Sequence, residues 1–508
     1  MLGVPGPARN LLTWWSQPWA AGAVACGLAL LAGALRAAGS DSFCLDDAYI
    51  HLAYAKSLWL GDGLSYNPGD HETGFSSPLW VLVLAPLATL ESHVAAVRAL
   101  GIGLHALLAL GAVQLTRRLC GASDEAPDLR AALAGVLLAF DPWLTFSAVS
   151  GMEVTLTALC LVWTCRLSLG GKHVAAGALG FACVWCRPES LFFLGPWCGL
   201  RFVYERRWQV LVPALGALFA LGVWCAYCQL VSGYPWPNTY YKKRGFDLLL
   251  GLLYFVLHVL PEQAWAMSAV GVVLAYVAAR TRPAVRWVVL AWIVSVLLTA
   301  ATRTLNLGLL FYNSRYFAIC APLPLIAAAC AWPQRARWAA LSVGLWLVAV
   351  GVLGVRSSAL QASQERDIGL LHVEPARWLA TRLPADARLA AEGAGALRYY
   401  LPRTQRVLDV NGLNDRRVAH APTPQAALCE VLRSKPTHVA LPDEHIAGFQ
   451  PALRLSLAKT ATAPDYSISV RRSVRHVFIA RVLGATDLGQ RLCALPWAVS
   501  ARTDRGAP

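Results

Sequence analysis

Residues 41–80, DSFCLDDAYIHLAYAKSLWLGDGLSYNPGDHETGFSSPLW, decide how the rest of the chain is read. They follow the first long apolar run, Trp19 to Leu35, so the paired carboxylates Asp46 and Asp47 stand where a membrane helix ends and water begins. The same forty residues carry the turn signals G-D-G, N-P-G-D and E-T-G, together with Tyr49, Tyr54, Trp59, Tyr66 and Trp80. Turn formers interleaved with amphipathic aromatics describe a structured loop on a membrane surface, not a plain connector.

The remainder of the chain fits a membrane setting. Of 508 residues, 57% are hydrophobic and only 14% charged, the composition of a polytopic membrane protein and not of a soluble one. The net charge of +15 does not indicate nucleic acid, because Arg and Lys recur between apolar runs as topology signals do. Most of the 14 cysteines lie inside apolar runs, where cysteine behaves as a small hydrophobe. Cys183 and Cys186 form a lone C-x-x-C with no second pair, which argues against a metal or redox site. An extracytoplasmic C-terminal part would allow Cys429 and Cys493 to pair, without requiring it.

Following the positive charges orders the apolar runs. The N-terminus is placed inside, and Trp19 to Leu35 is an uncleaved first helix that delivers the opening stretch outside. Ser76 to Leu90 either spans or lies flat. Laying it on the outer surface lets Ala99 to Leu115 carry Arg117 and Arg118 to the cytoplasm, as the positive-inside rule prefers. Leu248 to Leu260 poses the same choice and is also read as a surface helix. A tight hairpin places Arg187-Pro188-Glu189 at its outer tip, and Trp338 to Val355 is the last crossing. The expected fold is mostly α: a membrane bundle of about eleven transmembrane helices plus surface helices over 1–355, with a first outer loop over 39–95. From Arg356 charges become frequent and no run is long enough to cross, so 356–508 holds one small extracytoplasmic domain. It reads as helix Glu374–Leu383, strand Arg388–Glu392, helix Ala396–Tyr400, strand Arg406–Val410, helix Pro424–Ser434 and strand Thr437–Leu441. Such alternation points to an α/β domain.

Positive charge should be scarce on the outer face, so the basic residues placed there are informative. Arg187, the run Lys242, Lys243 and Arg244, Arg303 and Arg315 sit at interface depth beside aromatics, where the phosphate of a lipid head would lie. The alternative is that they anchor helices or pair with Asp46, Asp47, Glu153 and Glu189. As a set they favour an anionic lipid ligand. Asp46 and Asp47 admit three readings: a general base with a helper, ligands of a hard divalent cation such as magnesium or manganese, or a solvated helix end. Adjacent residues do not share a helix face, so one is expected to face substrate while the other holds a turn, a metal or a cation.

Six motifs in order, DDAYIHLAYAKSLWLGDGLSYNPG with ETGFSSPLW, then SGMEVTL, CRPES, GYPWPNTYYKK, NSRYF and GAGALRYYLPRTQRVLDVNGLND, resemble the GT-C membrane glycosyltransferases. Within them the chain is most similar to the bacterial branch that includes the terminal β-(1→2) arabinofuranosyltransferases. The resemblance runs over almost the whole chain and departs at Ala53-Tyr54, where relatives commonly carry Arg before the Tyr. It implies a bacterial cytoplasmic-membrane enzyme taking a sugar, arabinofuranose among the candidates, from a polyprenyl-phosphate donor. The acceptor is a glycan, lipid or protein on the outer face, and the anomeric carbon inverts. Inversion needs a carboxylate to take the acceptor proton and cations to hold the departing phosphate. Asp46 or Asp47 suits the first role, and Arg187, Lys242, Lys243, Arg244 and Arg315 suit the second. Lys56, Asn238 and Tyr241 are expected to orient substrate. Glu153 and Glu189 orient hydroxyls or pair with the arginines. Asp409 and Asn411 bring the C-terminal domain over the site or simply build a turn. A flippase for lipid-linked sugar and a non-catalytic assembly scaffold are the competing readings.

Overall fold

The computed structural model describes residues 19–37, 39, 41–121, 128–243, 245–259, 276–302, 314–332, 336–466 and 473–494. Arg244, Arg303 and most of the expected crossing from Trp265 to Ala279 lie outside the described residues. The chain forms two compact units. One gathers 1–39, 95–222 and 245–361; the other gathers 40–94, 223–244 and 362–508. This grouping differs from a linear division near Val355, because the opening stretch and the segment after Gly222 fold with the tail.

Four described helices are long and apolar enough to cross a membrane: Ala20–Ala37, His93–Cys120, Trp208–Ser232 and Pro283–Thr302. A fifth crossing arises if Leu129–Ala139 and Pro142–Val149, bent by 53°, act together. The bend has a local cause. Pro142 cannot donate a backbone hydrogen bond, and the Asp141 carboxylate accepts from the amides of Trp143 and Leu144 at 3.0 and 2.9 Å, starting a new helix. The expected surface helix after Ser76 is Pro78–Leu84 followed by a tight turn at Ala85–Leu87, well short of a span. The expected total of about eleven crossings exceeds what the described residues show, since Val154–Leu169 and His173–Cys186 are each too short to cross when straight. The chain is nonetheless a multi-pass membrane protein.

In the first unit the helices meet through small residues. Ala25 and Ala29 pack on Ala106, Ala109 and Val113 and on Ala131 and Ala139, an alanine seam joining Ala20–Ala37, His93–Cys120 and Leu129–Ala139. Where hydrophobic burial gives little driving force between helices in lipid, close backbone approach supplies the contact. Gly180 shows it: a Cβ there would strike the carbonyl of Pro213.

The second unit holds a five-stranded sheet among the described residues, ordered β2-β1-β3-β5-β4. Its strands are β1 Arg388–Ala391, β2 Arg406–Asp409, β3 His438–Pro442, β4 Leu453–Tyr466 and β5 Ser473–Ala485. β1 pairs in parallel with β2 and with β3, while β5 runs antiparallel to β3 and β4. The α/β order expected from Glu374 to Leu441 is present, with helices Glu374–Ala380, Ala394–Tyr400 and Pro424–Arg433. The parallel strands are short apolar runs buried on both faces, as parallel sheets require. Leu408, Val431, Val439, Leu441, Phe449 and Leu453 form the core. Cys429 and Cys493 are disulfide-bonded, closing helix Pro424–Arg433 onto helix Asp487–Ala494.

Candidate active site

Helix Asp46–Trp59 starts at the acidic pair and is buried along most of its length, including Ala48 to Ala55. It packs against helix Ala394–Tyr400, with the Tyr49 ring 6.0 and 5.9 Å from those of Tyr399 and Tyr400. The opening stretch is fastened to the sheet domain by backbone contacts. The Tyr66 hydroxyl donates to Ala394 O at 2.6 Å. Asn67 behaves like an extra strand residue, accepting from Val407 N at 2.9 Å and donating to Val407 O at 3.0 Å along β2.

Asp46 and Asp47 have separate surroundings. The Asp46 carboxylate accepts from Gly395 N at 2.8 Å and Ala396 N at 2.9 Å, the first amides of helix Ala394–Tyr400, and lies 3.3 Å from His372 Nδ1. A carboxylate on a helix N-terminus satisfies amides that have no partner within the helix. Gly395 permits this approach, since a Cβ there would strike the backbone oxygen of Asp46. Burial alone would lower the His372 pKa, but the Asp46 carboxylate outweighs it and raises the imidazole above its ordinary range. Asp47 is not part of that clamp. Its Oδ2 lies 3.3 Å from Lys243 Nζ, and both side chains reach solvent, at 16% and 23% exposure.

Lys243 ends the short helix Asn238–Lys243, which also carries Tyr241 and the exposed Lys242. Asn238, expected to orient substrate, donates from Nδ2 to Glu72 Oε2 at 2.9 Å, and the same oxygen accepts from Arg416 N at 2.8 Å. Burial, reinforced by nearby Asp415, raises the Glu72 carboxyl to about 7 despite these two bonds. Tyr241 packs 4.3 Å from the ring of His420, on which Tyr234 stacks at 3.6 Å. Lys56 donates to Tyr399 O at 2.9 Å and lies over the Tyr399 ring, so it secures the end of helix Ala394–Tyr400. Ala53 is buried, at 4% exposure. Asp409 accepts from Asn411 N, Asn414 N and Asn414 Nδ2, each at 2.9 Å, which closes the turn after β2. Burial pushes its carboxyl up to about 6.

The other expected residues belong to the first unit. Arg187 Nε binds Glu153 Oε1 at 2.6 Å and Nη1 lies 3.9 Å from Glu189, so the guanidinium is matched by carboxylates. Arg187 and Arg315 both face the Tyr316 ring, at 4.8 and 5.5 Å from its centroid. For a metal, the donor set is poor. Asp46 is engaged by two amides and His372, Asp47 has an ammonium beside it, and no group of three or more His, Cys, Asp or Glu that could hold an ion occurs among the described residues. The acidic pair does not fit a divalent cation, and no step is routed through one.

Sequence reasoning missed Glu72, His372, Gly395 and His420. Glu72 was readable only as part of the E-T-G turn, and nothing adjacent to His372 in sequence marks its pairing with a carboxylate 326 residues earlier.

Comparison with solved structures identifies the fold. ArnT from Cupriavidus metallidurans bound to undecaprenyl phosphate superposes with a TM-score of 0.62 at 14% identity, over 90% of this chain and 97% of that one. The Archaeoglobus fulgidus oligosaccharyltransferase in complex with Zn and sulfate gives 0.55 at 13% identity, over 85% and 68%. AglB from the same organism, with an inhibitory peptide and a dolichol-phosphate, gives 0.51 at 10% identity, over 84% and 69%. The fold is that of the GT-C superfamily, to which these proteins belong. Residues 359–483 match a family described as a domain of unknown function, DUF8728. No curated protein sequence matches the chain.

Proposed function

We propose that the chain is an inverting glycosyltransferase that moves a sugar from a polyprenyl-phosphate donor to an acceptor glycan, lipid or protein, with Asp47 as the base. The observation that carries this reading is the division of labour in the acidic pair. Asp46 is fixed on two backbone amides and His372, while Asp47, about as exposed at 16% against 15%, faces an ammonium group. A carboxylate so held is oriented without being enclosed, the arrangement a general base needs. The lipid phosphates bound by ArnT and AglB support the donor class.

In the proposed step the acceptor hydroxyl gives its proton to Asp47 while its oxygen forms a bond to the anomeric carbon. On the opposite face the bond from that carbon to the phosphate oxygen breaks, and the electron pair leaves with the phosphate. Lys242 is assigned to the departing phosphate, whose charge a cation stabilises so that no acid is needed, while Lys243 stays beside Asp47 on the acceptor side. Arabinofuranose is the first sugar to try. The Cys429–Cys493 disulfide supports an extracytoplasmic C-terminal domain, because such bonds persist in oxidising compartments. It fits a cytoplasmic-membrane protein with its N-terminus inside.

The test is transfer by purified full-length protein in nanodiscs from a panel of pentosyl and hexosyl polyprenyl phosphates. Asp47→Asn should lower transfer by about 10²- to 10⁴-fold with donor binding retained. Full activity in that variant sinks the base assignment, and no transfer from any donor sinks the enzyme reading.

A further inference from the structure

Three arginines of the first unit are served by the chain itself. Arg118 gives Nε and Nη2 to Leu169 O at 2.9 and 2.8 Å, Arg286 gives Nε to Ala279 O at 3.0 Å, and Arg201 meets Glu205 at 2.7 Å. Arg117 differs. It is 2% exposed, and among the described residues nothing accepts from its Nε or Nη2. Burying a charge is costly unless it is paired and hydrogen-bonded, so this guanidinium calls for an anion.

Helix packing fixes where that anion would lie. A Cβ on Gly135 would stand 2.7 Å from Val113 Cγ2 and 2.6 Å from Ala25 Cβ, so the backbones approach closely there. Followed on from that contact, the antiparallel helices His93–Cys120 and Leu129–Ala139 bring Arg117 to the level of Leu129 and Arg130, where the second helix begins. Cys120 lies three residues beyond Arg117 on the same helix face. Its thiol bonds that of Cys330, its carbonyl accepts from Arg282 Nη1 at 2.9 Å, and Arg130 is a second guanidinium neighbouring the thiol. Against these three arginines stands Asp128, whose Oδ1 is taken by Arg130 N at 2.9 Å and faces Arg130 Nε at 3.4 Å. Positive charge is in excess at this helix end.

We infer that this end of the helix pair binds a phosphate group, with Arg117 as the buried contact and Arg130 and Arg282 as flanking charges. Guanidinium forks match phosphate oxygens, and basic residues between helix ends at a membrane boundary suit the head group of an anionic lipid. The positive-inside rule assigns this end to the cytoplasmic leaflet. The inference does not depend on the glycosyltransferase reading, and its test needs no sugar donor.

The experiment compares melting temperatures of the full chain in nanodiscs of phosphatidylcholine, of phosphatidylcholine with phosphatidylglycerol, and of phosphatidylcholine with added inorganic phosphate. Native mass spectrometry counts the lipids retained. Wild type should melt about 3 °C higher with phosphatidylglycerol and retain a phosphatidylglycerol molecule. Arg117→Met should melt at or above wild type in phosphatidylcholine, because an unpaired buried charge is gone, yet show no gain from phosphatidylglycerol and lose the retained lipid. Arg118→Gln, which removes a guanidinium bound to backbone, should keep the full lipid response. Arg282→Gln, from a partly buried position, should reduce that response and supplies the comparison if Arg117→Met fails to fold. A gain from inorganic phosphate equal to that from phosphatidylglycerol keeps the site and names free phosphate as its occupant. Equal melting of wild type in all three media overturns the inference, as does a loss of stability in Arg117→Met that is the same in each. An unresponsive wild type that Asp124→Asn with Glu125→Gln destabilises also overturns it, and returns Arg117 to the chain's own carboxylates.

Discussion

Replacing Asp46 by Asn separates the structural clamp at Asp46 from the carboxylate proposed as the base, Asp47. The wild-type side chain accepts two backbone hydrogen bonds, at 2.8 and 2.9 Å, and faces His372 at 3.3 Å. Asn keeps one acceptor and turns an NH₂ toward the second amide. The retained bond loses its charge assistance, about 1 kcal/mol, and the abandoned amide costs about 1 to 3 kcal/mol when shielded from water. Because 15% of the side chain is exposed, water relieves part of this, and the net effect is about 2 to 3 kcal/mol. Local opening of helix Ala394–Tyr400 should then rise about 30- to 150-fold. Hydrogen exchange read by mass spectrometry on peptides covering Gly393 to Tyr400 measures it directly. Asp47→Asn weakens a partly exposed ion pair with Lys243, worth about 0 to 1 kcal/mol, so protection there should change less than about fivefold. Equal protection in Asp46→Asn and wild type refutes the clamp, and a larger loss in Asp47→Asn than in Asp46→Asn reverses the two assignments.

His372 adds a pH dependence to the same clamp: its raised pKa means that its contribution is fully present below about 6.5 and lost as pH rises through the folded value, so protection of Gly395 and Ala396, corrected for intrinsic exchange, should fall toward alkaline pH. Glu72 has the opposite group type. A carboxyl raised from 4.5 to about 7 favours the fold while protonated, so wild type should lose stability between those values, and Glu72→Gln should flatten that part of a melting-temperature profile. Gly395→Ala should lower the melting temperature and the protection of Ala394–Tyr400 together, because its Cβ meets backbone that has no free space to move into. Cys429→Ser should destabilise the sheet domain by about 4 kcal/mol on loop-closure entropy, read by denaturant unfolding of the full chain with and without reductant.

Much of this architecture was legible in the residues. Gly and Pro turns around 61–74 announced a structured loop, and short apolar runs separated by helical patterns announced β1 to β3 and the helices between them. β4 and β5 were not read, although Leu453-Arg454-Leu455-Ser456-Leu457 carries the period-two alternation of a half-buried strand. The two carboxylates of the acidic pair were expected to differ, and they do. Which one is held by backbone was not readable, because the answer lies in two amides about 350 residues downstream. Lys56 shows the same limit: a cation near an acidic pair looks like a ligand group until the carbonyl of Tyr399 claims it. Local chemistry survives in sequence, whereas long-range hydrogen bonds to backbone leave no residue-type signature.

The contact between Asp46 and the amides of Gly395 and Ala396 also sets a schedule. The acidic loop is made early, and the helix that fixes it is encoded 349 residues later. At ~5–20 residues per second of synthesis, the loop waits on the order of tens of seconds for its partner. During that interval Asp47 has a neighbour but no held geometry, so a truncated or stalled chain carries the carboxylates without the arrangement that orients them. The ordering of this acidic pair therefore reports that synthesis has passed Ala396.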